Sequence, residues 1–167
     1  ATGSAGIEGT AAVYVTQVNR LKSDVSTNVN IVKSSIMIDL TGLKDGGTAG
    51  DIIGKDGSGV AFIAQVTAAN QGTVFGVTMT CVETPAGGST DIDLFSATEG
   101  TGVNDTAIGD LTETQIINAG AASAGSFVAG GDIAADQYLY LVSQGTGDAT
   151  YTAGRFLIEI LGFDAAS

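Results

Sequence analysis

Two carboxylates that stand two positions apart come closest to forming a chemical site in this sequence. Asp91 and Asp93 lie in the alternating stretch 91–96, so they would share one strand face with Phe95. Their Cα atoms would lie about 7 Å apart. Three interpretations stay open: a solvated strand face, a weak calcium site completed by loop carbonyl groups, or part of a glycosidase carboxylate pair.

Other reactive side chains are scarce. The 167 residues include no histidine and one cysteine, Cys81, which lies in a strand-like stretch. Without histidine, the Ser-His-Asp and Cys-His arrangements are excluded and zinc loses its usual ligands. The Gly-x-Gly pairs lack the third glycine and the helix of a dinucleotide site. We therefore expect no enzyme activity, no catalytic residue and no cofactor, and we expect Cys81 to be a small buried side chain.

Charge is distributed unevenly along the chain. The net charge is −12, and residues 56–154 hold eleven acidic side chains and no lysine or arginine. Residues 1–55 hold five acidic and five basic side chains. Because an acidic surface repels phosphate backbones, we expect no nucleic-acid partner. Two interpretations stay open: the acidity serves solubility alone, or the neutral third docks onto a partner while the acidic part faces solvent.

Short strands are the elements that would position these residues. Glycine makes up 25 of the 167 residues, and seven to nine strand-like stretches are separated by glycine-rich turns. This pattern predicts an all-β protein, an antiparallel β-sandwich or barrel. One short helix is predicted at 112–119, where Thr112 and Gln115 have capping-box spacing. We expect residues 1–10 to form a flexible arm and residues 11–167 to form a single domain. No apolar run reaches the ~18 residues that a membrane helix needs.

Two strongly apolar strand patterns close the chain, at 138–143 and 154–163. Both have apolar side chains on both faces. Each must therefore lie in mid-sheet under cover on both sides, or present one face to another chain. We expect the two stretches to form a hairpin across a loop rich in Gly, Thr and Asp. The candidate interface residues are Tyr138, Tyr140, Leu157, Leu161 and Phe163.

Taken together, these features resemble the structural proteins of tailed-bacteriophage virions. The resemblance rests on the small-residue arm, the short Gly-, Thr- and Ala-rich strands, the acidic balance, and the Thr152-Ala153-Gly154 turn before the last long strand. That ending is similar to the closing strands of jelly-roll capsid decoration (cement) and head-fibre proteins. The resemblance implies a jelly-roll-like sandwich on the capsid exterior. It would bind the major capsid protein or another virion protein, commonly as a trimer, and stabilise the shell.

Other function classes stay open beside the virion protein. One is a subunit of another extracellular or virion assembly, such as a fibre, a tail or a surface layer. Another is a carbohydrate-binding β-sandwich, which needs clustered exposed aromatic side chains; the candidates are Tyr14, Phe95 and Tyr151. A hydrolase is the least favoured class, because aromatic residues make up only 6% of the chain and tryptophan is absent.

Overall fold

β-Strands dominate the fold. A computed structural model describes residues 16–22, 29–57 and 59–165, so the predicted arm at 1–10 and Tyr14 lie outside the described residues. The described strands are β1 (Thr16–Lys22), β2 (Val29–Asp39), β3 (Asp51–Ile52), β4 (Ala64–Gln65), β5 (Thr73–Ala86), β6 (Ile92–Ala97), β7 (Glu113–Ile117), β8 (Phe127–Gly130), β9 (Tyr138–Ser143) and β10 (Ala153–Ala165). A four-residue helix, α1 (Ala68–Gln71), and a 3-10 turn (Ile108–Asp110) are also present. No helix in these ranges is long and apolar enough to cross a membrane.

The strands form two antiparallel sheets. The first sheet has the order β1-β2-β10-β5-β8 and the second β3-β9-β6-β7, with β4 pairing to β9 beside β3. The pairing is nested: β2 pairs with β10, β3 with β9, β5 with β8, and β6 with β7. This is one long hairpin rolled into two sheets, which is a jelly roll. The predicted all-β, jelly-roll-like antiparallel sandwich is confirmed.

The main core lies between the two sheets. β10 directs Phe156, Ile158 and Ile160 inward, and β9 directs Leu139 and Leu141 toward them. All five side chains are at most 1% exposed. Full burial of one such side chain contributes roughly 1.5–3 kcal/mol. The inward faces of the two sheets pack against each other. Contacts with other molecules must therefore involve the outward faces, the edges or the loops.

The two closing strands form where predicted, but they do not pair with each other. β9 lies in the second sheet beside β6, and β10 lies in the first sheet between β2 and β5. Residues 144–152 cross between the sheets, and the buried Tyr151 hydroxyl there donates to the carbonyl oxygen of Ser89 (3.0 Å). The predicted hairpin was wrong because the connection passes from one sheet to the other, so that each strand lies between two other strands of its own sheet.

The helix predicted at 112–119 was also wrong. Residues 113–117 form β7, an edge strand of the second sheet that pairs with β6. The Thr112 hydroxyl donates to the carboxylate of Glu99 (2.8 Å), and the Gln115 amide donates to Asp93 (2.8 Å). The capping-box spacing was misleading because both polar side chains bond to neighbouring segments instead of to a helix terminus.

Candidate functional site

One member of the carboxylate pair, Asp93, is bonded within the fold. Asp93 is buried, and its Oδ1 accepts the backbone N–H of Ala119 (2.9 Å) while its Oδ2 accepts the Gln115 amide (2.8 Å). Burial, together with the negative charge of Asp93, raises the pKa of the half-buried Asp91. Both oxygens of Asp93 are thus occupied within the chain. Across residues 16–22, 29–57 and 59–165, no group of three or more His, Cys, Asp or Glu side chains could hold a metal ion.

Cys81 lies in the core of the first sheet. Its thiol donates to the backbone carbonyl oxygen of Glu83 (3.2 Å), and burial raises its pKa. A buried thiol that is held protonated is a poor nucleophile, because the thiolate is the reactive form. The structure therefore shows Cys81 as a packing residue.

A cleft of about 300 Å³ opens where β7 approaches residues 132–137. Its lining is hydroxyl, carboxylate, amide and aliphatic, without an aromatic ring: Ser96, Thr98, Thr112, Glu113, Thr114, Ile116, Asp132, Ile133, Ala134 and Gln137. Phe95 and Tyr151, two aromatic candidates for sugar binding, are both buried. Neither of these two rings is therefore exposed for stacking against a sugar.

The outward face of the second sheet is covered by the chain itself. Residues 98–111, here the cover segment, pass over an apolar layer formed by the second sheet. The layer includes Ile52 from β3, Phe95 from β6, and Tyr140 and Val142 from β9, with Ile108 contributed by the cover segment. This covered surface is called the sealed face.

Tyr140 anchors the cover segment. Its side chain is 0% exposed, and its hydroxyl donates to the carbonyl oxygen of Glu99 (2.7 Å) and accepts the N–H of Gly102 (3.2 Å). Burial, reinforced by the charge of Glu99, raises the pKa of this hydroxyl. A Cβ on Gly102 would lie 2.6 Å from Ile52 Cδ1 and 2.9 Å from Tyr140 Cε1. The cover segment is therefore fitted closely to the sheet.

Backbone hydrogen bonds hold the cover segment at the edge of the second sheet. The N–H of Ala61 donates to the carbonyl oxygen of Gly102 (2.7 Å), and the N–H of Ile52 donates to that of Thr106 (2.9 Å). The N–H of Ile108 donates to the carbonyl oxygen of Gly50 (2.9 Å). These bonds come from segments far away in sequence, so the sealed face forms only when the whole sheet is assembled.

The outward face of the first sheet has no such cover among the described residues. Five large apolar side chains on it are substantially exposed: Phe127 (61%), Phe75 (50%), Val82 (43%), Ile31 (40%) and Phe163 (38%). Met37, Leu157 and Leu161 lie half-buried between them. This surface, formed by outward side chains of β2, β10, β5 and β8, is called the open face.

An ion pair divides the open face into two apolar patches. Lys33 on β2 pairs with Glu159 on β10, and the Ser35 hydroxyl donates to the same carboxylate (3.5 Å). The first patch contains Phe75 and Phe163, whose ring centroids lie 6.3 Å apart, together with Ile31 and Leu161. The second patch comprises Met37, Val82, Phe127 and Leu157.

The charges beside the open face are paired within the chain. Arg155 Nε lies 2.9 Å from Asp39 Oδ2 and 3.6 Å from Glu83 Oε2. Burial alone would raise the pKa of Asp39, but hydrogen bonds from Thr41 and Arg155 hold it below its ordinary value. The sealed side differs, because residues 98–113 carry four acidic side chains and no basic one.

The predicted interface residues divide between the two faces. Leu157, Leu161 and Phe163 lie together on the open face. Tyr140 was wrongly predicted, because it is buried under the cover segment and cannot contact another chain. Tyr138 is half-buried beside Phe62, with ring centroids 4.9 Å apart.

Four exposed residues of the open face were not among the predicted interface residues: Ile31, Phe75, Val82 and Phe127. Phe75 and Val82 belong to β5, where the inward positions Val74, Val77, Met79 and Cys81 are buried. The sequence did contain a signal for Phe75 and Val82. Both are apolar, although neither belongs to the set of β5 side chains that point into the core.

A comparison of the chain with family models, with curated proteins and with solved structures found no match in any of the three. A jelly roll hosts many unrelated functions, so the fold alone assigns none. Function must therefore be inferred from the surfaces of the molecule, and the open face is the candidate functional site.

Proposed function

We propose that this protein is a non-enzymatic virion structural protein that binds the outer surface of the capsid and stabilises or decorates the shell. The observation that carries the proposal is the open face, where five large apolar side chains are exposed on one side of a β-sandwich. An exposed apolar surface of this kind, here in two patches on either side of the Lys33–Glu159 ion pair, marks an interaction site. The partner would be the major capsid protein or another virion protein. The protein would act as a homo-oligomer, a trimer by the resemblance stated above.

The separation of charge supports an assembly role. The open face has its charges paired internally, whereas the cover segment on the opposite side is acidic. A subunit that associates through its neutral side keeps its acidic side in water, where net charge opposes aggregation.

Bridging gives such a subunit its effect on a shell. Each contact with one capsid subunit need not be strong, because a second contact on the same particle benefits from a high effective concentration. An oligomer of small sandwiches multiplies these contacts. The role requires a stable scaffold and an adhesive surface, and it requires no catalytic residue.

A subunit of a fibre, a tail or a surface layer is the second candidate, because the same open face could assemble such a structure. Binding to capsid shells separates the two. A capsid decoration protein adds to preassembled shells, whereas a fibre or surface-layer subunit polymerises without them.

The first test is the genomic neighbourhood, which the proposal predicts to include a gene for a major capsid protein. Shells assembled from that protein are then mixed with the purified chain and sedimented. We expect saturable binding at a fixed ratio to capsid subunits and a higher melting temperature of the decorated shells. Shells of an unrelated capsid protein serve as the control. Failure to bind the cognate shells would contradict the proposal.

A further inference from the structure

We propose that the cleft beside β7 is a binding site for a primary alkylammonium group, the chemistry that a lysine side chain and a free alkyl amine share. The proposal goes beyond the proposed function and concerns a different surface from the open face. Three features of the cleft carry it: a buried hydroxyl without a partner, two carboxylates without a cation, and an aliphatic wall.

The buried hydroxyl belongs to Ser96 of β6. Ser96 is 3% exposed and lines the cleft, and its hydroxyl has no hydrogen-bond partner among the described residues. Its Oγ is not one of the unpartnered oxygen atoms that the fold closes off from solvent, so it is reached from the cleft. A polar group buried to this extent is normally hydrogen-bonded. Ser96 therefore presents to the cleft an acceptor that the chain itself does not use.

The carboxylates belong to Glu113 and Asp132, which are both exposed and line the same cleft. None of the ion pairs in the described part of the chain includes either of them. All the lining residues lie between positions 96 and 137, and residues 56–154 contain no lysine or arginine. The segments that line the cleft therefore supply negative charge and no cation.

Part of the cleft wall is aliphatic. Ile133 is buried and Ile116 is half-buried, and both line the cleft. Such a surface packs well against methylene groups, as the stems of lysine side chains do on apolar surfaces elsewhere. The volume of about 300 Å³ is at the lower end for ligand pockets. The cleft therefore suits a short alkyl chain that ends in a charged group.

Other ligands match the cleft less well. A calcium ion takes about six to eight oxygen ligands, and the described residues contain no group of three or more His, Cys, Asp or Glu side chains that could hold a metal ion. The carboxylates would repel an anion, and a sugar would find no aromatic ring in the lining. An ammonium group has three N–H donors and no acceptor. Ser96 Oγ accepts one of these donors, while Glu113 and Asp132 supply the opposite charge.

The test is titration of the full, isotope-labelled chain with n-butylammonium chloride, followed through the backbone amide shifts in NMR spectra. We expect saturable shifts at Ser96, Thr114 and Ile116, with a dissociation constant of about 1 mM that rises as salt is added. n-Butanol is the control ligand, because it keeps the alkyl chain and lacks the charge. It should cause no saturable shift at these amides.

Three variants test the roles of the side chains. Ser96→Ala should weaken butylammonium binding about threefold or more and should not lower the unfolding midpoint, because the hydroxyl has no partner in the chain to lose. Glu113→Gln combined with Asp132→Asn should weaken binding about fivefold or more. Asp148→Asn is the matched control, because Asp148 is an exposed acid that follows the end of β9 remote from the cleft. It should bind butylammonium like the wild type.

Two further ligands distinguish the sources of the amine. A short peptide with blocked termini and one lysine, if it binds more tightly than 1,5-diaminopentane, identifies a lysine side chain of a protein partner. The reverse order identifies a free amine, and either order supports the ammonium site.

Three results would overturn the proposal: no saturable shifts with butylammonium, equal shifts with n-butanol or calcium chloride, or unchanged binding in the double carboxylate variant. Binding to capsid shells is measured separately through the open face, so a failure of the ammonium site leaves the proposed function standing, and the reverse also holds.

Discussion

β9 and β10 have the same kind of sequence and opposite surroundings. Both strands are apolar on both faces, and both direct one face into the core between the sheets. The outward face of β9 is sealed, with Tyr140 and Val142 fully buried, whereas the outward face of β10 stays open, with Phe163 exposed. Among the described residues, the chain covers one doubly apolar strand by itself and leaves the other partly uncovered. This difference supports the proposal that the first sheet has a partner.

The largest expected effect compares aromatic truncation on the two faces. Tyr140→Ala should lower the free energy of unfolding by about 3–5 kcal/mol, because it leaves a cavity and removes the anchor of the cover segment. Phe75→Ala should lower it by less than about 1 kcal/mol, because Phe75 is half-exposed. Urea denaturation at low protein concentration measures both. Equal losses in the free energy of unfolding would show that Phe75 is as well buried as Tyr140, which would contradict an exposed open face.

A pair of glycines provides a second comparison. Gly102→Ala should lower the free energy of unfolding by about 1–3 kcal/mol, because the new methyl group collides with Ile52 and Tyr140. Gly76 lies in β5 of the first sheet, and a Cβ there meets no atom within 4 Å. Gly76→Ala should therefore change stability by no more than about 0.5 kcal/mol. A tolerated Gly102→Ala would mean that the cover segment fits loosely.

The Tyr140 hydroxyl tests the polar anchor of the sealed face. Tyr140→Phe keeps the ring but leaves the buried carbonyl oxygen of Glu99 and the N–H of Gly102 without this partner. The expected loss is about 1–2 kcal/mol, measured by chemical denaturation. No loss would indicate that water replaces the hydroxyl and that the cover segment admits solvent.

Ionisation of the same hydroxyl should lower the stability of the protein at alkaline pH. Burial raises the pKa of Tyr140, so the stability it contributes is fully present below the unfolded value of about 10 and is lost as the pH rises through the folded value. The free energy of unfolding should therefore fall less steeply above pH ~10 in Tyr140→Phe than in the wild type. Burial also raises the pKa of Tyr151, so part of the slope should remain in the variant. Identical slopes would contradict the buried, protonated hydroxyl.

The smallest effect concerns the ion pair on the open face. Lys33→Gln removes the partner of Glu159 at a position where the lysine side chain is well exposed. Monomer stability should change by less than about 1 kcal/mol, because exposed ion pairs contribute little. A larger loss in thermal or chemical unfolding would show that the pair is shielded from water.

Most strands could be predicted from the sequence. Alternation in β2, β5, β6, β9 and β10 indicated strands, and the glycine-rich turns between them indicated a sandwich. Strand pairing could not be predicted, since the nested order of a jelly roll places β9 and β10 in different sheets although they are consecutive.

The sealed face could not be predicted for a related reason. The cover segment is irregular, and its position depends on hydrogen bonds from Gly50, Ile52 and Ala61, which are distant in sequence. Tyr140 and Phe163 look equivalent in the sequence because each belongs to a doubly apolar strand. Only the cover segment distinguishes them, and it carries no periodic signal.

Hydroxyl-radical footprinting with mass spectrometry tests the contrast between the two faces most directly. In dilute protein, Phe75 and Phe127 should be oxidised readily while Phe95 and Tyr140 are protected. When cognate capsid shells are added, Phe75 and Phe127 should become protected, and Val103 should remain reactive. Protection of Phe75 and Phe127 in the dilute monomer, or oxidation of Tyr140 as fast as that of Phe127, would contradict the account.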